Sequence, residues 1–372
     1  MELRIDKIDL YRFRNWQEVQ LNFHPVGNIF IGPNGQGKTN LMEALAYIQQ
    51  GRSFKQASDR QLVMFQQADF LVQGEMTEET QLNSGHRIHQ SRHFTISFDR
   101  KTGKTIKLNE QKLQKLSQLV GQVNIVILSL EDRVITQGNP ADRRRFLDQA
   151  LTQIDAEYLI ALQETRQLLL QKQQLLKTPS SDSTLGSIIN QQLSPRFALL
   201  MQRRSQLIEQ LAPLFMSFYQ RIDEGMESVA IRYKPNLNDS TVEGIYSFLE
   251  ARAEKEREMM QVLIGPQRDD MEITINKQSS RFFASQGQHK SLIIALKLAL
   301  AEFYFQYFTR KPILMLDDIF SELDIKRARS LVHLFPHFSQ VFITLPREDE
   351  LALLPSDHRC FYIEKGMIRH VS

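Results

Sequence analysis

Apolar and polar residues alternate along the first part of the chain, a pattern typical of β-strands with one buried face. A turn is expected at residues 14–16, and the apolar run at 28–31 predicts a short buried strand. From residue 39 to residue 50 the apolar positions recur at helical spacing, and Gly51 follows where a helix-ending glycine is expected. Strand-like alternation then returns at three places, which are residues 70–72, 94–98 and 105–108.

The middle of the chain has a helical pattern. Residues 141–176 keep an apolar stripe on an otherwise Gln-rich helix, and residues 197–222 repeat the pattern after a polar break at 178–183. Two adjacent amphipathic helices can bury their stripes against each other, so we expect an antiparallel helical arm inserted into an α/β domain. A short strand at 229–233 and a third helix at 241–261 follow.

Strands and helices alternate again after residue 266, which predicts an α/β fold. The predicted strands are 271–275, 313–316 and 341–344, the predicted helices are 288–307 and 324–334, and a terminal hairpin joins 361–363 to 367–370.

Composition places the chain among ordinary globular proteins. It has 372 residues, 46 Lys and Arg against 43 Asp and Glu, 42% hydrophobic residues and a formal charge of +3, which excludes a disordered chain but not a DNA-binding face. The single Cys360 cannot form an intrachain disulfide, and the N-terminus shows no signal-peptide pattern. The longest apolar stretch, 292–300, is interrupted by Lys297 and is shorter than the roughly 20 residues that span a bilayer. We therefore expect a soluble, cytoplasmic protein.

A phosphate-binding loop is the clearest chemical motif. Residues 32–39 fit the pattern G-x-x-x-x-G-K-[ST] between a predicted strand and a predicted helix, the context that this motif requires. Glycines let backbone N–H groups wrap a phosphate, Lys38 reaches the terminal phosphates, and Thr39 holds Mg²⁺. The residues of the loop are Gly32, Pro33, Asn34, Gly35, Gln36, Gly37, Lys38 and Thr39.

Two carboxylates follow a buried strand, and a serine precedes a helix. Asp317 and Asp318 emerge at the carboxyl end of the apolar run 313–316, where α/β folds place ligands. Asp317 is expected to bind Mg²⁺ and Asp318 to orient the attacking water. Ser285 stands at the start of a helix with Gly287 two residues later, which is either an anion site or an ordinary helix cap; taken alone, the cap is favoured.

Taken together, these motifs resemble the ABC-type ATPase heads of the structural-maintenance-of-chromosomes kind, and the match is closer still to the RecF family of bacterial recombination-repair ATPases. The segments that carry the resemblance are 13–15, 35–40, 143–148, 265–270, 285–288, 316–318 and 321–324. It implies an ABC-type head built from residues 1–115 and 262–372, with a helical arm at 116–261.

The resemblance also implies ATP and Mg²⁺ as cofactors and a site shared between two copies. One copy would supply Lys38, Thr39 and Asp317, and its partner Ser285 and Gly287, because the two motifs of such heads lie too far apart to share one nucleotide within a chain. Lys38, Asp317 and Asp318 are then the catalytic residues, with Thr39 and Asp317 on the metal. Outside the loop, the nucleotide-binding residues are Asn40, Ser285, Gln286, Gly287, Gln288 and Asp324.

The implied function is ATP-dependent binding of double-stranded DNA, or of junctions between single and double strands, with slow hydrolysis for release. The implied role is recombinational repair, with RecO and RecR as partners in loading RecA. A P-loop kinase or GTPase acting on a small substrate, or an ATP-binding scaffold without turnover, are the alternatives. No Asn-Lys-x-Asp segment of a GTPase is found.

Several residues depart from the pattern or allow more than one interpretation. Gln267 stands where the family pattern has a histidine, and Thr344 occupies the place of the switch histidine of transporter ATPases, with weak hydrolysis as the implication. The basic clusters are candidates for DNA phosphates, although a solvated face is the favoured interpretation of each one. These clusters include Arg143, Arg144 and Arg145, and also Arg203 and Arg204.

Overall fold

The computed structural model describes residues 2–81, 87–178, 183–223 and 227–372. Its strands are β1 Glu2–Phe13, β2 Trp16–Asn22, β3 Gly27–Ile31, β4 Asp69–Gln81, β5 Arg87–Asp99, β6 Gly103–Leu108, β7 Gln111–Lys112, β8 Ile125–Ser129, β9 Val229–Lys234, β10 Asp270–Ile275, β11 Gln278–Ser279, β12 Ile313–Asp317, β13 Gln340–Leu345, β14 His358–Glu364 and β15 Met367–Val371. Its helices are α1 Lys38–Gln50, α2 Asp59–Leu62, α3 Arg133–Gln137, α4 Pro140–Thr152, α5 Ala156–Leu176, α6 Ser183–Ile222, α7 Val242–Ala251, α8 Ala253–Glu258, α9 Ser280–Phe283, α10 Gln286–Phe308 and α11 Ile325–Val332.

The chain divides into two compact units. The first comprises Met1–Asp132 and Ile294–Ser372, and the second comprises Arg133–Ile293. These limits differ from those of the predicted head and arm. Residues 116–132 belong to the first unit because β8 is a strand of its parallel sheet, and residues 262–293 belong to the second because β10 pairs with β9. The head and the arm as functional parts stay a prediction.

The first unit contains two sheets around helix α1. One is mainly parallel, in the order β15-β14-β3-β13-β12-β8, and the other is antiparallel, in the order β2-β1-β4-β5-β6-β7. The apolar face of α1, with Leu41, Leu45 and Ile48, is fully buried in a core that includes residues of both sheets. The predicted Gly51 cap is confirmed: its φ is 59°, and its N–H donates to the Tyr47 carbonyl oxygen at 2.8 Å.

The second unit contains a helical hairpin and a three-stranded sheet. Contacts between Arg203 and Asp155 near the start of α5, and between Asn190 and Lys172 near its end, show that α5 and α6 run antiparallel, as predicted. The single helix predicted over 141–176 is wrong. The Asp155 side chain accepts the Tyr158 N–H and starts α5 as a separate helix. Helix α6 also begins earlier than predicted, at Ser183, and contains Pro195 and Pro213. The polar break predicted at 178–183 falls largely on residues 179–182, outside the described residues.

Helix α10 is longer than the apolar stretch that the sequence suggested. Within the described residues it is the one helix long and apolar enough to cross a membrane by length and composition. Most of its apolar window is buried inside the protein, with Leu292, Leu296 and Tyr304 inaccessible. A core helix passes the same test of length and composition, so this feature is weak evidence for a membrane span.

Candidate nucleotide site

The predicted phosphate loop connects β3 to α1, and glycine geometry shapes it. Gly35 and Gly37 have φ values of 78° and 113°, which favour glycine over any residue with a Cβ. At Gly32 a Cβ would lie 2.2 Å from the Ile363 carbonyl oxygen. The loop therefore places its backbone where side chains do not fit, and the start of α1 follows directly, with N–H groups that have no acceptor within the helix.

Polar contacts from distant segments hold the loop in place. Asn15 Nδ2 donates to the Gln36 carbonyl oxygen at 3.1 Å, and the Asn40 side chain donates to Asn15 Oδ1 at 2.8 Å. The Trp16 indole N–H donates to the Gly37 carbonyl oxygen at 3.2 Å. From the terminal hairpin, the Gly366 N–H donates to the Gln36 carbonyl oxygen at 3.0 Å. Asn15 lies in the segment 13–15, one of those that carry the family resemblance, whereas the sequence does not predict the roles of Trp16 and Gly366.

Lys38 lies buried beneath the loop. Its ammonium group donates to the carbonyl oxygens of Gly32 at 2.7 Å and Pro33 at 3.1 Å, and Nζ is 3.9 Å from Asp318 Oδ1. Burial lowers the pKa of Lys38, and the neighbouring carboxylates oppose that shift. A phosphate at the loop would offset the cost of burying this charge, which is how such a lysine favours a nucleotide.

Thr39 and Asp317 form a pair of oxygen donors. The Thr39 hydroxyl donates to Asp317 Oδ1 at 2.9 Å, and Asp317 is buried at the carboxyl end of β12. Burial raises the pKa of Asp317 and the nearby Asp318 raises it further, while hydrogen bonds from Thr39 and Thr344 lower it. Hydroxyl and carboxylate oxygens are ligands that Mg²⁺ prefers, and a phosphate loop needs few of them because phosphates and water complete the shell. The pair fits a magnesium ion.

Asp318 has an unusual backbone that Thr344 supports. Its φ is 53°, in the left-handed region that Asp tolerates better than most residues. The Asp318 N–H donates to Thr344 Oγ1 at 2.7 Å, and that hydroxyl lies 3.0 Å from Asp317 Oδ1 and 3.2 Å from Asp318 Oδ1. Thr344, at the end of β13, is fully buried. One hydroxyl thus positions both carboxylates, a role that the sequence did not reveal.

A third carboxylate faces this cluster. Glu350 lies in the short 3-10 helix Glu348–Leu353, and its Oε2 atom is buried. Burial raises the pKa of Glu350, and the charges of Asp318 and Asp349 raise it further. Sequence reasoning missed this residue because nothing in the local pattern distinguishes it from an exposed glutamate.

The predicted signature residues lie in the second unit, at the N-terminus of α10. Ser285 caps this helix: its Oγ accepts the Gln288 N–H at 3.2 Å, and its own N–H donates to Gln288 Oε1 at 2.6 Å. Gln286 and Gly287 occupy the first turn, whose N–H groups have no intrahelical acceptor. The structure therefore shows the cap that was favoured for Ser285 taken alone, and its nucleotide-binding role stays a prediction.

Asp324 and Gln267 also have local partners. Asp324 caps α11 by accepting the Arg327 N–H at 2.9 Å, and hydrogen bonds from that residue lower the pKa of its carboxyl group. Gln267 Nε2 donates to the Ile264 carbonyl oxygen at 2.7 Å. Both residues lie at the chain positions that the motifs predicted, and their contacts here are within their own unit.

The three arginines 143–145 differ in their surroundings. Arg143 is buried and makes two hydrogen bonds to the Asp270 carboxylate, at 2.7 and 2.9 Å. Arg144 donates to the Asp269 carbonyl oxygen at 2.7 Å, and Arg145 pairs with Asp142 at 3.1 Å. Neither of the predicted interpretations describes Arg143, because a buried ion pair is not a solvated face and offers little of its guanidinium to a phosphate. DNA binding by Arg144 and Arg145 stays a prediction.

Arg204 was considered with Arg203 as a basic cluster, yet it is the centre of a buried network. Its guanidinium donates to Asp269 Oδ2 at 3.0 Å, to Asp148 Oδ1 at 2.8 Å and to the Tyr158 hydroxyl at 3.0 Å. Tyr158 in turn donates to Asp148 at 2.6 Å. The interpretation of Arg204 as a surface residue is therefore wrong, since its partners lie far away in sequence and enclose it.

Known proteins resemble this chain over most of its length. The family model described as the RecF/RecN/SMC N terminal domain matches residues 4–368. A DNA replication and repair protein RecF of Alkaliphilus oremlandii is 30% identical over 98% of this chain and 99% of its own length. Its counterpart in Bacillus cytotoxicus is 33% identical over 93% of this chain and 92% of its own.

Solved structures agree with the sequence relatives. The recombination mediator protein RecF bound to ATPrS, of the RecFOR pathway, superimposes with a TM-score of 0.87 at 28% identity, covering 99% of this chain and 98% of that one. An Smc head domain of Pyrococcus furiosus shares the fold alone, with a TM-score of 0.56 at 15% identity, 100% coverage of this chain and 96% of that one. Because the family model matches residues 4–368 and the relatives are matched over nearly their full lengths, this chain belongs to the RecF family and has the ABC-type P-loop ATPase head fold with an inserted helical arm.

Proposed function

We propose that this chain is an ATP-dependent DNA-binding protein of recombinational repair and replication-fork maintenance. Its RecF relatives are described as DNA replication and repair proteins, and solved RecF structures hold ATP and ATPrS. The proposal adds that ATP drives two copies together on double-stranded DNA or at junctions of single and double strands. Slow hydrolysis then releases the DNA.

One observation carries the nucleotide part of this proposal. Within one unit, Lys38 Nζ lies 3.9 Å from Asp318, and the Thr39 hydroxyl lies 2.9 Å from Asp317. A lysine, a hydroxyl and two carboxylates at the mouth of a glycine loop are the groups that bind and hydrolyse a nucleoside triphosphate. When bound, Mg²⁺ would be held by Thr39 and Asp317 and would neutralise phosphate charge.

Asp318 is the proposed water-orienting residue. The left-handed backbone of Asp318 and its hydrogen bond to Thr344 aim its carboxylate beside Lys38. In this position it can orient or deprotonate a water molecule that attacks the terminal phosphate. Thr344 occupies the place of the switch histidine and has no group that titrates near neutral pH, so we expect slow turnover.

The second half of the site is proposed to come from a partner copy. The exposed first turn of α10 offers N–H groups, and Ser285 offers a hydroxyl, so this helix end attracts an anion. A γ-phosphate contact from Ser285 and Gly287 of the partner would exist only in the closed dimer. Because a ligand drives closure only through its better binding to the closed state, this contact makes ATP the closing ligand.

The proposed partners follow from the family. One solved relative is described as a recombination mediator in the RecFOR pathway. We accordingly propose that this chain acts with RecO and RecR to help load RecA, in the cytoplasm.

The test is the oligomeric mass with ADP, with ATP, and with ATP plus duplex DNA. Ser285→Arg should leave ATP binding by the monomer intact and abolish the ATP-dependent dimer, since the larger charged side chain occupies the shared site. Ser58→Arg is the matched control. Ser58 caps α2 with the same geometry, donating from its N–H to Gln61 Oε1 at 2.8 Å, yet it lies outside the proposed site. A Ser285→Arg chain that still dimerises with ATP would argue against the shared site.

A second measurement separates an ATPase from a scaffold that only binds ATP. Phosphate release is followed with and without duplex DNA, for the wild type and for Lys38→Ala. Lys38→Ala should lose nucleotide binding itself. Absence of phosphate release from the wild type in both conditions would leave the scaffold as the function.

A further inference from the structure

An open groove of about 970 Å³ lies on the second unit, outside the candidate nucleotide site. It is formed by the start of α4, one face of α5 and the segment 261–268. Two of the motif segments that the nucleotide chemistry does not use, 143–148 and 265–270, contribute to its wall through Arg144 and Arg268. We propose that this groove docks an acidic, amphipathic segment of a partner protein.

The floor of the groove is apolar. Leu169, Leu170 and Val262 line it, and Leu170, which lies on helix α5 of the hairpin, leaves 66% of its surface exposed. An exposed apolar side chain in a concave surface rimmed by polar residues is a place where an apolar side chain of a partner can pack. The walls also contain three glutamines, which are Gln173, Gln261 and Gln267.

The charged side chains that line the groove are all arginines. Arg144, Arg166 and Arg268 line it, and no Asp or Glu is among its lining residues. Arg144 and Arg268 donate to the backbone carbonyls of Asp269 and Val262, both at 2.7 Å, and in the described part of the chain neither forms an ion pair with a carboxylate. Arg166 forms a long ion pair with Asp148, at 3.7 Å, and 60% of its side chain remains exposed. Positive potential in a concave, partly apolar site favours carboxylates on the occupant.

A buried network beside the groove holds one of its arginines, Arg144. Arg144 bonds to the backbone of Asp269, whose carboxylate is held by Arg204 at 3.0 Å. Asp148, near Arg166, is held by the same Arg204. The groove is therefore preformed at Arg144, which lowers the entropic cost of binding there.

A protein segment fits this groove better than a nucleic acid does. Single strands stack their bases on aromatic faces, but no aromatic residue lines the groove. Duplex DNA is bound mainly through its phosphates, and the aliphatic floor of the groove offers them no partner. An amphipathic helix can pack its apolar residues, at helical spacing, against the leucines, and can pair its flanking carboxylates with the guanidinium groups.

The test is a selection of random short peptides, displayed on phage, against the full-length protein without nucleotide or DNA. We expect enriched sequences that combine carboxylates with apolar residues at helical spacing. Synthetic copies should bind the wild type, and Arg268→Glu and Leu170→Glu should each weaken binding by at least about tenfold. The matched controls are Lys255→Glu on α8 and Leu185→Glu on α6, two exposed residues outside the groove, which should change little.

Three outcomes would overturn the proposal. Selection could enrich no sequence or enrich basic ones, or the enriched peptides could bind the two groove variants as tightly as the wild type. If instead Arg268→Glu and Leu170→Glu reduce affinity for duplex DNA, or change the oligomeric mass, the groove serves DNA or a second copy. Because the assay contains no ATP, it can fail while the proposed ATPase function stands, and the reverse also holds.

Discussion

Two buried clusters of charged residues, one in each unit, differ in how their charges are balanced. In the first, burial lowers the pKa of Lys38 and raises the pKa of Asp317, so burial disfavours the charged form of both groups. In the second, burial alone would lower the pKa of Arg204, but surrounding oxygen groups such as Asp148 raise it well above its usual value. Burial also raises the pKa of its partner Asp269, against the opposing charge of Arg204. The first cluster would gain from a phosphate and a cation, whereas in the second Arg204 already lies between two carboxylates, Asp148 at 2.8 Å and Asp269 at 3.0 Å. Burial shifts pKa values in both clusters, so burial of charge does not by itself mark a functional site.

The sharpest test of the first cluster is Asp318→Asn. Asn tolerates a left-handed backbone as Asp does, so the variant should keep the local fold and lose only the carboxylate. We expect the turnover number to fall by about 10²–10⁴-fold while ATP affinity changes little. Single-turnover phosphate release and equilibrium nucleotide binding measure the two effects. An unchanged turnover number would remove Asp318 from the catalytic residues.

Substitutions in the second cluster should lower the free energy of unfolding and not the turnover number. Arg204→Met leaves Asp269 and Asp148 buried without their guanidinium, so we expect the free energy of unfolding of the second unit to fall by about 3–5 kcal/mol. The neighbouring Arg203, which forms a partly exposed pair with Asp155, is the matched control, and Arg203→Met should cost less than about 1 kcal/mol.

Circular dichroism follows the helices, most of which lie in the second unit, during denaturant unfolding. Fluorescence of Trp16, the single tryptophan, follows the first unit separately. Equal losses for Arg203→Met and Arg204→Met would show that the buried network contributes no more than a surface ion pair.

Thr344→Val tests whether one hydroxyl positions the catalytic carboxylates. The substitution keeps the shape of the side chain but removes the acceptor of the partly buried Asp318 N–H, so we expect turnover to fall by about tenfold and ATP affinity by less. Thr344→Ser, which retains the hydroxyl, should restore turnover and its pH profile. If valine and serine behave alike, the hydroxyl has no positioning role.

A smaller effect on stability is expected from His289, a buried side chain of the second unit. Burial is the cause of its pKa shift, whereas Arg204 also has carboxylates beside it. Burial lowers the pKa of His289 below its usual value of 6.5, and Nδ1 lies 3.0 Å from the Thr136 hydroxyl oxygen. Since the unfolded chain binds the proton more readily, stability is retained above about pH 6.5 and is lost as the pH falls below it.

His289→Gln should remove this part of the acid sensitivity, at most about 1.4 kcal/mol per pH unit. The exposed His337→Gln serves as the control. Unfolding curves between pH 5 and pH 8 measure both variants, and an unchanged pH dependence for His289→Gln would contradict the expectation.

Local patterns were enough to predict the elements that bear the nucleotide chemistry. The loop at Gly32–Thr39 and the strand before Asp317 follow from glycine spacing and from a continuous apolar run, both of which are short-range signals. The strand β8 was assigned to the arm instead, because an isolated five-residue apolar run does not reveal that it pairs with β12. Thr344 and Arg204 acquire their roles through partners brought together by the tertiary fold, which spacing along the chain does not encode.

The hydrogen bond from Gly366 to the Gln36 carbonyl oxygen has a consequence for synthesis on the ribosome. The glycine loop leaves the ribosome early, but Asp317, Thr344 and the turn that holds Gln36 are translated more than 270 residues later. A nascent or prematurely stopped chain thus contains the glycine loop but lacks the later residues that hold it and complete its site. A chain that stops before Gly366 lacks the hydrogen bond that holds the Gln36 carbonyl oxygen, so its glycine loop is less constrained than that of the finished protein.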